Sequence, residues 1–353
     1  MTNPLGPPRA IDALRRGWAV TVRGDDGAIT LLAVETADDV RLAAFDLAAR
    51  ADLLLSAERA AVLKLANQRE SATPGVPVLV ERVPWLDLPA ALALADPAGD
   101  LASPLKGPYR TRPIAAVGAA AAALTLARLS GLLPAFFLLD GGEADTIVEA
   151  ADVATYDHAD RLALVARARL PVAGAEHSEI VAFRSPEDAG EHVALLIGAP
   201  NGQPPLVRLH SECLTGDVLG SLKCDCGPQL HAAIDAIATS GWGILLYVRQ
   251  EGRGIGLINK LRAYALQDQG FDTVESNLRL GFAIDARDFG VAARMLDLLG
   301  QRAVRLMTNN PAKVAGLEAA GVRVVERVPH QLPPNPHNAR YLATKRDRTG
   351  HQL

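Results

Sequence analysis

The sequence predicts an α/β protein of two domains, each a mixed sheet with flanking helices in α+β layers. Three observations predict it. The chain has 353 residues, more than a single hydrophobic core usually organises. Short apolar runs with strand character alternate with segments of helical spacing along its whole length. The composition also changes near residue 165, from an alanine- and leucine-rich half without cysteine to a half that holds all three cysteines. The expected domains are therefore 1–165 and 166–353.

In the first half, 10–16 reads as a helix, 18–22 and 29–33 as strands, and 40–49 as a helix. The apolar run 114–139 is long enough to raise the question of a membrane span. It carries Arg128 near its middle and contains Gly131 and Pro134, which punctuate a helix. It therefore reads as a buried helix over 119–130 and a strand over 135–139, with no membrane partner. In the second half, 165–172 leads into strands at 180–183, 192–197 and 206–210, the last following Pro204 and Pro205. Helical spacing recurs at 229–239, 257–269 and 289–299, and β-like runs at 243–248 and 304–308. There is no internal repeat or low-complexity linker, and the polar tail 341–353 is expected to fray in part.

Composition narrows the functional classes. With 49% hydrophobic and 22% charged residues, the chain reads as an ordinary soluble globular protein. A net charge of -4 leaves no electrostatic footprint for nucleic acid. The opening MTNPLGPPRAIDALRRG has no apolar segment after a basic one, so no secretory signal is expected. An odd number of cysteines argues against a disulfide framework and for a reducing, cytoplasmic setting.

The cysteines themselves are the strongest chemical signal. Cys213, Cys224 and Cys226 lie in RLHSECLTGDVLGSLKCDCGPQL with the spacing C-x10-C-x-C. Zinc is normally four-coordinate, and a catalytic site supplies three protein ligands and leaves the fourth position to water. His210, three residues before Cys213, competes for that position and would close the site. Spacing alone leaves three readings open: a catalytic metal, a closed structural zinc, or three unrelated buried thiols. Lys223 beside Cys224 favours thiolate. Glu212 suits the orientation of a metal-activated water or is a solvated loop acid.

Three further segments carry candidate chemistry. RQEGRGIGLINK, residues 249–260, places glycines between a strand and a helix, where backbone N–H groups can approach phosphate. Its Arg249, Arg253 and Lys260 suit a polyphosphate, although a plain strand–helix turn with surface basics fits equally well. In LGFAIDARDFG, Asp285 and Arg287 share a face if the backbone is extended, as a working pair or as a salt-bridged loop. In MTNNPAKVAGL, Thr308 and the two asparagines end a strand and Pro311 opens a helix bearing Lys313. Ligands of open α/β sheets bind at such carboxyl ends, and helix capping explains Asn310 as well.

Together these four segments, in this order, resemble GTP cyclohydrolase II, the family that opens riboflavin biosynthesis, from about residue 170 to the end of the chain. The resemblance implies hydrolysis of GTP to 2,5-diamino-6-(5-phosphoribosylamino)pyrimidin-4(3H)-one, formate and pyrophosphate by a homodimer. It implies one Zn²⁺ per subunit on Cys213, Cys224 and Cys226, and Mg²⁺ with the GTP phosphates. Positions matching the family's GTP contacts are Arg208, Leu209, His210, Ser211, Glu212, Gln229, Glu251, Gly252, Arg253, Thr273, Thr308 and Lys313. Asp285 matches its proton acceptor, Tyr264 a tyrosine associated with completing the ring opening, and Arg287 an arginine acting at the α-phosphate. Arginine is a poor nucleophile while protonated, so stabilisation of charge is the safer role for Arg287. The chemistry is coherent: C8 of guanine is an electrophilic amidine-like carbon open to zinc-assisted hydrolysis. A carboxylate such as Glu251 can accept from N1–H and the exocyclic amine, rejecting adenine. Competing readings are a related hydrolase for another nucleotide, a catalytically dead nucleotide sensor and a nucleic-acid-binding zinc module.

The front half resembles, in two pieces, 3,4-dihydroxy-2-butanone 4-phosphate synthase, which bifunctional relatives carry ahead of the cyclohydrolase. AIDALRRGWAVTV is similar to its opening helix and strand, and AVGAAAAALTLARLSGLLPA to its R-G-H-T-E-A helix. The family's acidic D-R-E-N-E-G-D loop is replaced here by RGDDGAITLLA, and its His, Thr and Glu by small apolar residues around 118–122. A Mg²⁺ site cannot be built from alanine, so 1–165 is expected to keep the fold without the synthase activity. Asp25 and Asp26 remain as turn residues.

Overall fold

A computed structural model describes residues 3–68, 73–156, 161–186, 190–350 and 352. In chain order its elements begin with α1 (Gly6–Arg15), β1 (Val20–Gly24), β2 (Gly27–Ala33), α2 (Asp39–Phe45), β3 (Asp52–Leu55), α3 (Ala57–Val62) and β4 (Val78–Val80). They continue through α4 (Leu88–Ala95), β5 (Thr111–Arg112), α5 (Val117–Ser130), β6 (Ala135–Asp140), β7 (Thr146–Glu149) and α6 (Ala150–Tyr156). Next come β8 (Ala163–Arg169), β9 (Ser178–Arg184), β10 (Glu191–Gly198), β11 (Leu206–Ser211), α7 (Cys226–Ser240) and β12 (Trp242–Val248). The chain ends with α8 (Gly256–Asp268), α9 (Thr273–Arg279), α10 (Gly290–Leu298), β13 (Ala303–Met307), α11 (Pro311–Ala319), β14 (Arg323–Val328) and α12 (Ala339–Thr349).

These elements form two units. One combines Met1–Asp157 with Ile255–Ala286, and the other His158–Gly254 with Arg287–Leu353. The division expected near 165 is a single cut, whereas the units found here interleave. The physical cause is apolar: Ile255, Ala263, Leu266, Leu280 and Phe282 are buried in the same core as Leu32, Leu53, Leu55 and Phe137.

The first unit is built on a seven-stranded sheet of order β5-β4-β3-β6-β2-β1-β7, antiparallel except for the β1–β7 pair. Its β1–β2 hairpin turns at Asp25 and Asp26, two residues suited to a tight turn. The alanines of α5 let that helix lie close on the sheet, with Ala119, Ala120, Ala123 and Ala127 fully buried. Gly131 ends α5 at a φ of 73°, which a Cβ would disfavour. The apolar stretch that raised a membrane question is thus a buried helix and a strand. No helix among the described residues is long and apolar enough to cross a membrane.

The second unit carries a mixed seven-stranded sheet of order β14-β13-β11-β12-β10-β9-β8. The neighbours β13, β11 and β12 run parallel, while β12, β10, β9 and β8 are successively antiparallel. Side chains of β11 alternate between two cores. Val207 and Leu209 join Ile244, Leu246 and Met295, and Leu206 joins Ala233 and Ile237 of α7. Of the tail expected to fray in part, the stretch to Thr349 is helical, within Ala339–Thr349, with Lys345 Nζ on Asp225 Oδ1 at 2.9 Å.

Candidate active site

Within the second unit, the carboxyl ends of β11, β12 and β13 lie side by side, and each continues into a segment singled out by the sequence. Such ends are where open α/β sheets bind ligands. After β11 the chain forms a π-helical turn, Leu214–Val218, of the kind that often marks a functional site. That turn folds Cys213 back onto Cys224 and Cys226. The three sulfurs lie within 4.8 Å of one another, and Cys213 and Cys224 are 3.7 Å apart. Zinc–sulfur bonds of about 2.3 Å arranged tetrahedrally require sulfur–sulfur edges of about 3.8 Å, which the Cys213–Cys224 edge matches.

The surroundings fit a cation as well. Cys226 is the first residue of the fifteen-residue α7, whose N-terminus favours a thiolate. Hydrogen bonds shared with Cys213 and burial push the Cys224 thiol up, and bonds shared with Cys213 and Cys224 push Cys226 well up. Three thiolates gathered this closely need a cation to hold them ionised. Gly216 lies at the centre of the turn. A Cβ there would stand 2.8 Å from Cys224 Sγ, 2.9 Å from Cys226 Cβ and 3.1 Å from Cys213 Sγ.

His210 is not among the residues gathered at the cluster. Its Nε2 lies 3.0 and 3.1 Å from the two carboxylate oxygens of Asp217. Asp217 also accepts from the backbone N–H of Cys213 and from the Tyr247 hydroxyl, both at 2.9 Å. Burial lowers the His210 pKa, against the raising effect of that carboxylate. Its Nδ1 is buried without a partner, and so is Nε of Arg208 on the same strand face. The rest of the Arg208 guanidinium donates to Met307 O at 3.1 Å and Gln229 Oε1 at 2.5 Å, and burial lowers its pKa to about 10. Buried polar atoms left unmet are costly unless a ligand or water completes them. Gln229 in turn donates to Asp225 Oδ2 at 2.5 Å, and Asp225 receives Lys345. His330 donates to Gln229 O at 2.9 Å, its pKa lowered by burial to about 4.

The other second-unit candidates cluster around the same three strand ends. Leu209 supplies a carbonyl to buried Lys313 Nζ at 2.8 Å. Thr308 caps the turn into α11, accepting from Asn310 N at 3.1 Å. Arg287 reaches Ser211 Oγ at 3.5 Å. Glu212 pairs with Arg249 at 3.3 Å near the surface. Glu251 accepts from Leu214 N at 2.7 Å and Gly252 N at 2.9 Å, tying the loop after β12 to the cysteine turn. That loop is strained: Gly252, Arg253 and Gly254 all have positive φ, and at Arg253 a side chain tolerates 64° only at a cost of about 1 kcal/mol or more. Tyr264, Thr273 and Asp285 belong to the first unit, on α8, at the start of α9 and in the loop that follows.

Several contributors were not singled out from sequence. Asp217 and Gly216 act through the π-helical turn, which no spacing rule announces, and Tyr247 reads as one more apolar strand residue. Asp225 sits between two cysteines, a position that draws attention to its neighbours instead.

Comparison with known proteins agrees with these segments. A family model described as GTP cyclohydrolase II matches residues 163–329. A protein named GTP cyclohydrolase-2 from Azospirillum brasilense is 45% identical over 370 residues, 98% of this chain and 93% of that protein. GTP cyclohydrolase-2 from Azotobacter vinelandii is 63% identical over 164 residues, 46% of this chain and 79% of that one. Riboflavin biosynthesis protein RibBA from Salinispora arenicola is 50% identical over 256 residues, 66% and 60% of the two chains. The crystal structure of a two-domain 3,4-dihydroxy-2-butanone 4-phosphate synthase from A. baumannii covers 86% of this chain and 93% of that one at 17% identity. Its TM-score of 0.30 is too low to define a shared fold. The near full-length identity to the Azospirillum protein, with the family match spanning every cysteine and phosphate-loop segment, places this chain in the GTP cyclohydrolase II family.

Proposed function

We propose that this chain hydrolyses GTP to the diaminopyrimidine ribotide, formate and pyrophosphate, as a cytoplasmic homodimer supplying the first step of riboflavin biosynthesis. The observation that carries the reading is the three-sulfur cluster beside two unmet buried polar atoms, Arg208 Nε and His210 Nδ1. Cys213, Cys224 and Cys226 hold Zn²⁺, which when bound supplies Lewis-acid activation of water for attack at C8. Mg²⁺ accompanies the triphosphate.

The protein's own residues divide the remaining work. Arg208, Arg253, Lys313 and Thr308 bind the phosphates. Glu251, anchored by two backbone N–H groups, accepts from guanine N1–H and the exocyclic amine. Leu209, His210, Ser211, Glu212, Gln229, Gly252 and Thr273 complete the substrate contacts. Arg287, beside Ser211, stabilises charge at the α-phosphate as pyrophosphate leaves. Asp285 accepts a proton and Tyr264 assists completion of the ring opening.

The front half has lost synthase chemistry on this reading. The N-terminus of α5, where the related helix carries polar residues, is closed by Asp26 Oδ2 accepting from Gly118 N at 2.6 Å. The test is anaerobic incubation of the zinc- and magnesium-loaded protein with GTP, assaying formate and pyrophosphate together. Equal release of both, lost on Cys224→Ser, is expected. Tight GTP binding without either product would replace the enzyme reading with a nucleotide sensor.

A further inference from the structure

The C-terminal part of the second unit docks against that unit's own strand ends. Asn335 and Asn338 close the turn that opens α12. The Asn338 side chain accepts from Asn335 N at 2.8 Å, and the Asn335 side chain from Asn338 N at 3.0 Å. Asn338 is buried, so the turn fixes where the helix begins. Beyond the helix, Gln352 N donates to Asn309 O at 2.9 Å, next to Thr308. Asn309 Nδ2 donates in turn to His330 O at 2.7 Å.

Between these two anchors α12 turns Lys345 inward. Its side chain is 13% exposed, that of Asp225 is 7% exposed, and Nζ lies 2.9 Å from Oδ1. The Tyr341 ring, one helical turn earlier, stands 4.3 Å from the same Nζ. Behind Asp225 lies the binding site. Its second oxygen, Oδ2, accepts from Gln229 Nε2 at 2.5 Å, which turns Gln229 Oε1 towards Arg208 Nη2, also at 2.5 Å. An amide between a carboxylate and a guanidinium fits only this way round, with its NH₂ on the acid and its oxygen on the arginine. Asp225 therefore sets the Gln229 side chain, and Gln229 sets Arg208. Met307 O takes Arg208 Nη1, and Arg208 Nε is buried without a partner. Burial lowers the Arg208 pKa, and Asp225 is the strongest influence against it, so the two charges feel one another across the amide. An uncompensated carboxylate at that distance would draw the guanidinium and repel an incoming anion.

We propose that Lys345 is a positioning residue for GTP: carried in by the docked α12, it neutralises Asp225 and keeps Arg208 available to a phosphate oxygen. This rests on the cyclohydrolase reading above, in which Arg208 and Gln229 contact GTP.

The test uses the full chain, each variant brought to the wild-type zinc content, with two readouts. One is KM and kcat for GTP. The other is Kd for a GTP analogue with carbon in place of both N7 and the α,β-bridging oxygen, which neither bond-breaking step can cleave. Lys345→Met should raise KM and Kd about tenfold, the scale of one charge-assisted hydrogen bond, with kcat changed less than about threefold. Lys345→Arg should restore most of the affinity. Adding Asp225→Asn to Lys345→Met removes both charges, so KM and Kd should return to within about threefold of wild type. A double variant as weak as the single one would assign the effect to docking of the helix and overturn the proposal. KM and Kd within about twofold of wild type in Lys345→Met would overturn it as well. If Lys345→Met folds poorly, Lys345→Gln carries the same comparison. A wild type that binds the analogue but releases neither formate nor pyrophosphate would overturn the cyclohydrolase reading, and the Kd comparison would still decide the role of Lys345.

Discussion

Replacing Gly216 with alanine inserts one methyl group into the centre of the three-sulfur cluster. The new Cβ would meet Cys224 Sγ at 2.8 Å, Cys226 Cβ at 2.9 Å and Cys213 Sγ at 3.1 Å. Comfortable contact begins at about 3.5 Å, so the nearest sulfur must withdraw by about 0.7 Å. The cluster has no slack for that. Its 3.7 Å edge already matches the edge of about 3.8 Å that tetrahedral zinc requires. Loss of supporting contacts around a metal costs about 10- to 100-fold in affinity, and displacing a ligand directly belongs at or beyond the upper end. The expectation is zinc bound at least about 100-fold more weakly, about 2.7 kcal/mol. Gly216 needs no positive φ, so alanine adds no backbone strain and the effect is one of space. Zinc competition against a chromophoric chelator measures the loss, and unfolding of both metal-free proteins checks that the turn itself survives. Zinc binding within about threefold of wild type would refute the assignment of this cluster as a metal site of these dimensions.

Two further perturbations follow from buried charge. Asp100 receives two bonds from fully buried Arg59, at 2.6 and 2.9 Å, and one from Lys106 at 2.6 Å. Asp100→Asn leaves Arg59 without its counter-charge and should cost about 3–5 kcal/mol in urea unfolding; a loss below about 1 kcal/mol would sink the idea. Burial alone would raise the Asp100 pKa, but Arg59 and Lys106 outweigh it and hold it below the ordinary value of 3.8. The sign follows: this stabilisation is complete above that value and is lost only as pH falls through the still lower folded pKa. Wild-type stability measured from pH 5 to 2 should therefore show a drop that Asp100→Asn lacks. Asp217→Asn removes the carboxylate joining Cys213 N, His210 and Tyr247, and should weaken zinc by about 10- to 100-fold. Unchanged affinity in the same chelator competition would show that Asp217 does not position the cluster.

Much of the site was legible in the sequence because its pieces are local. A strand ending in C-x10-C-x-C, glycines between a strand and a helix, and Asn-Pro opening a helix each place chemistry at a strand's carboxyl end without knowledge of the rest of the fold. Their adjacency follows once β13, β11 and β12 pair in parallel. What escaped depends on contacts distant in sequence or on irregular backbone. Asp217 works only because a π-helical turn brings its carboxylate under Cys213. Nothing local announces the helix in the tail, where Lys345 meets Asp225 120 residues away. The placement of 255–286 escaped for a similar reason, since an amphipathic helix shows the same stripe whichever core receives it.

The alternation of side chains in the first unit's sheet separates the demands on the two faces of the front half. Odd and even positions of the same strands serve different cores. Leu31, Ala33, Leu54, Phe136 and Leu138 pack with α1 and α5. Leu32, Val34, Leu53, Leu55, Ala135 and Phe137 pack with Ile255, Ala263, Leu266, Leu280 and Phe282. The alanines of α5 and the Asp26 turn closing its N-terminus belong to the first of these layers. The face that receives α8 and α9 belongs to the second. Substitutions confined to one face therefore leave the other face's shape intact, because the strands between them keep their register and their parity. A one-residue slip in any of these strands would exchange the two faces and release the segment bearing Tyr264, Thr273 and Asp285. The front half is thus constrained by what its second face holds, independently of what its first face carries.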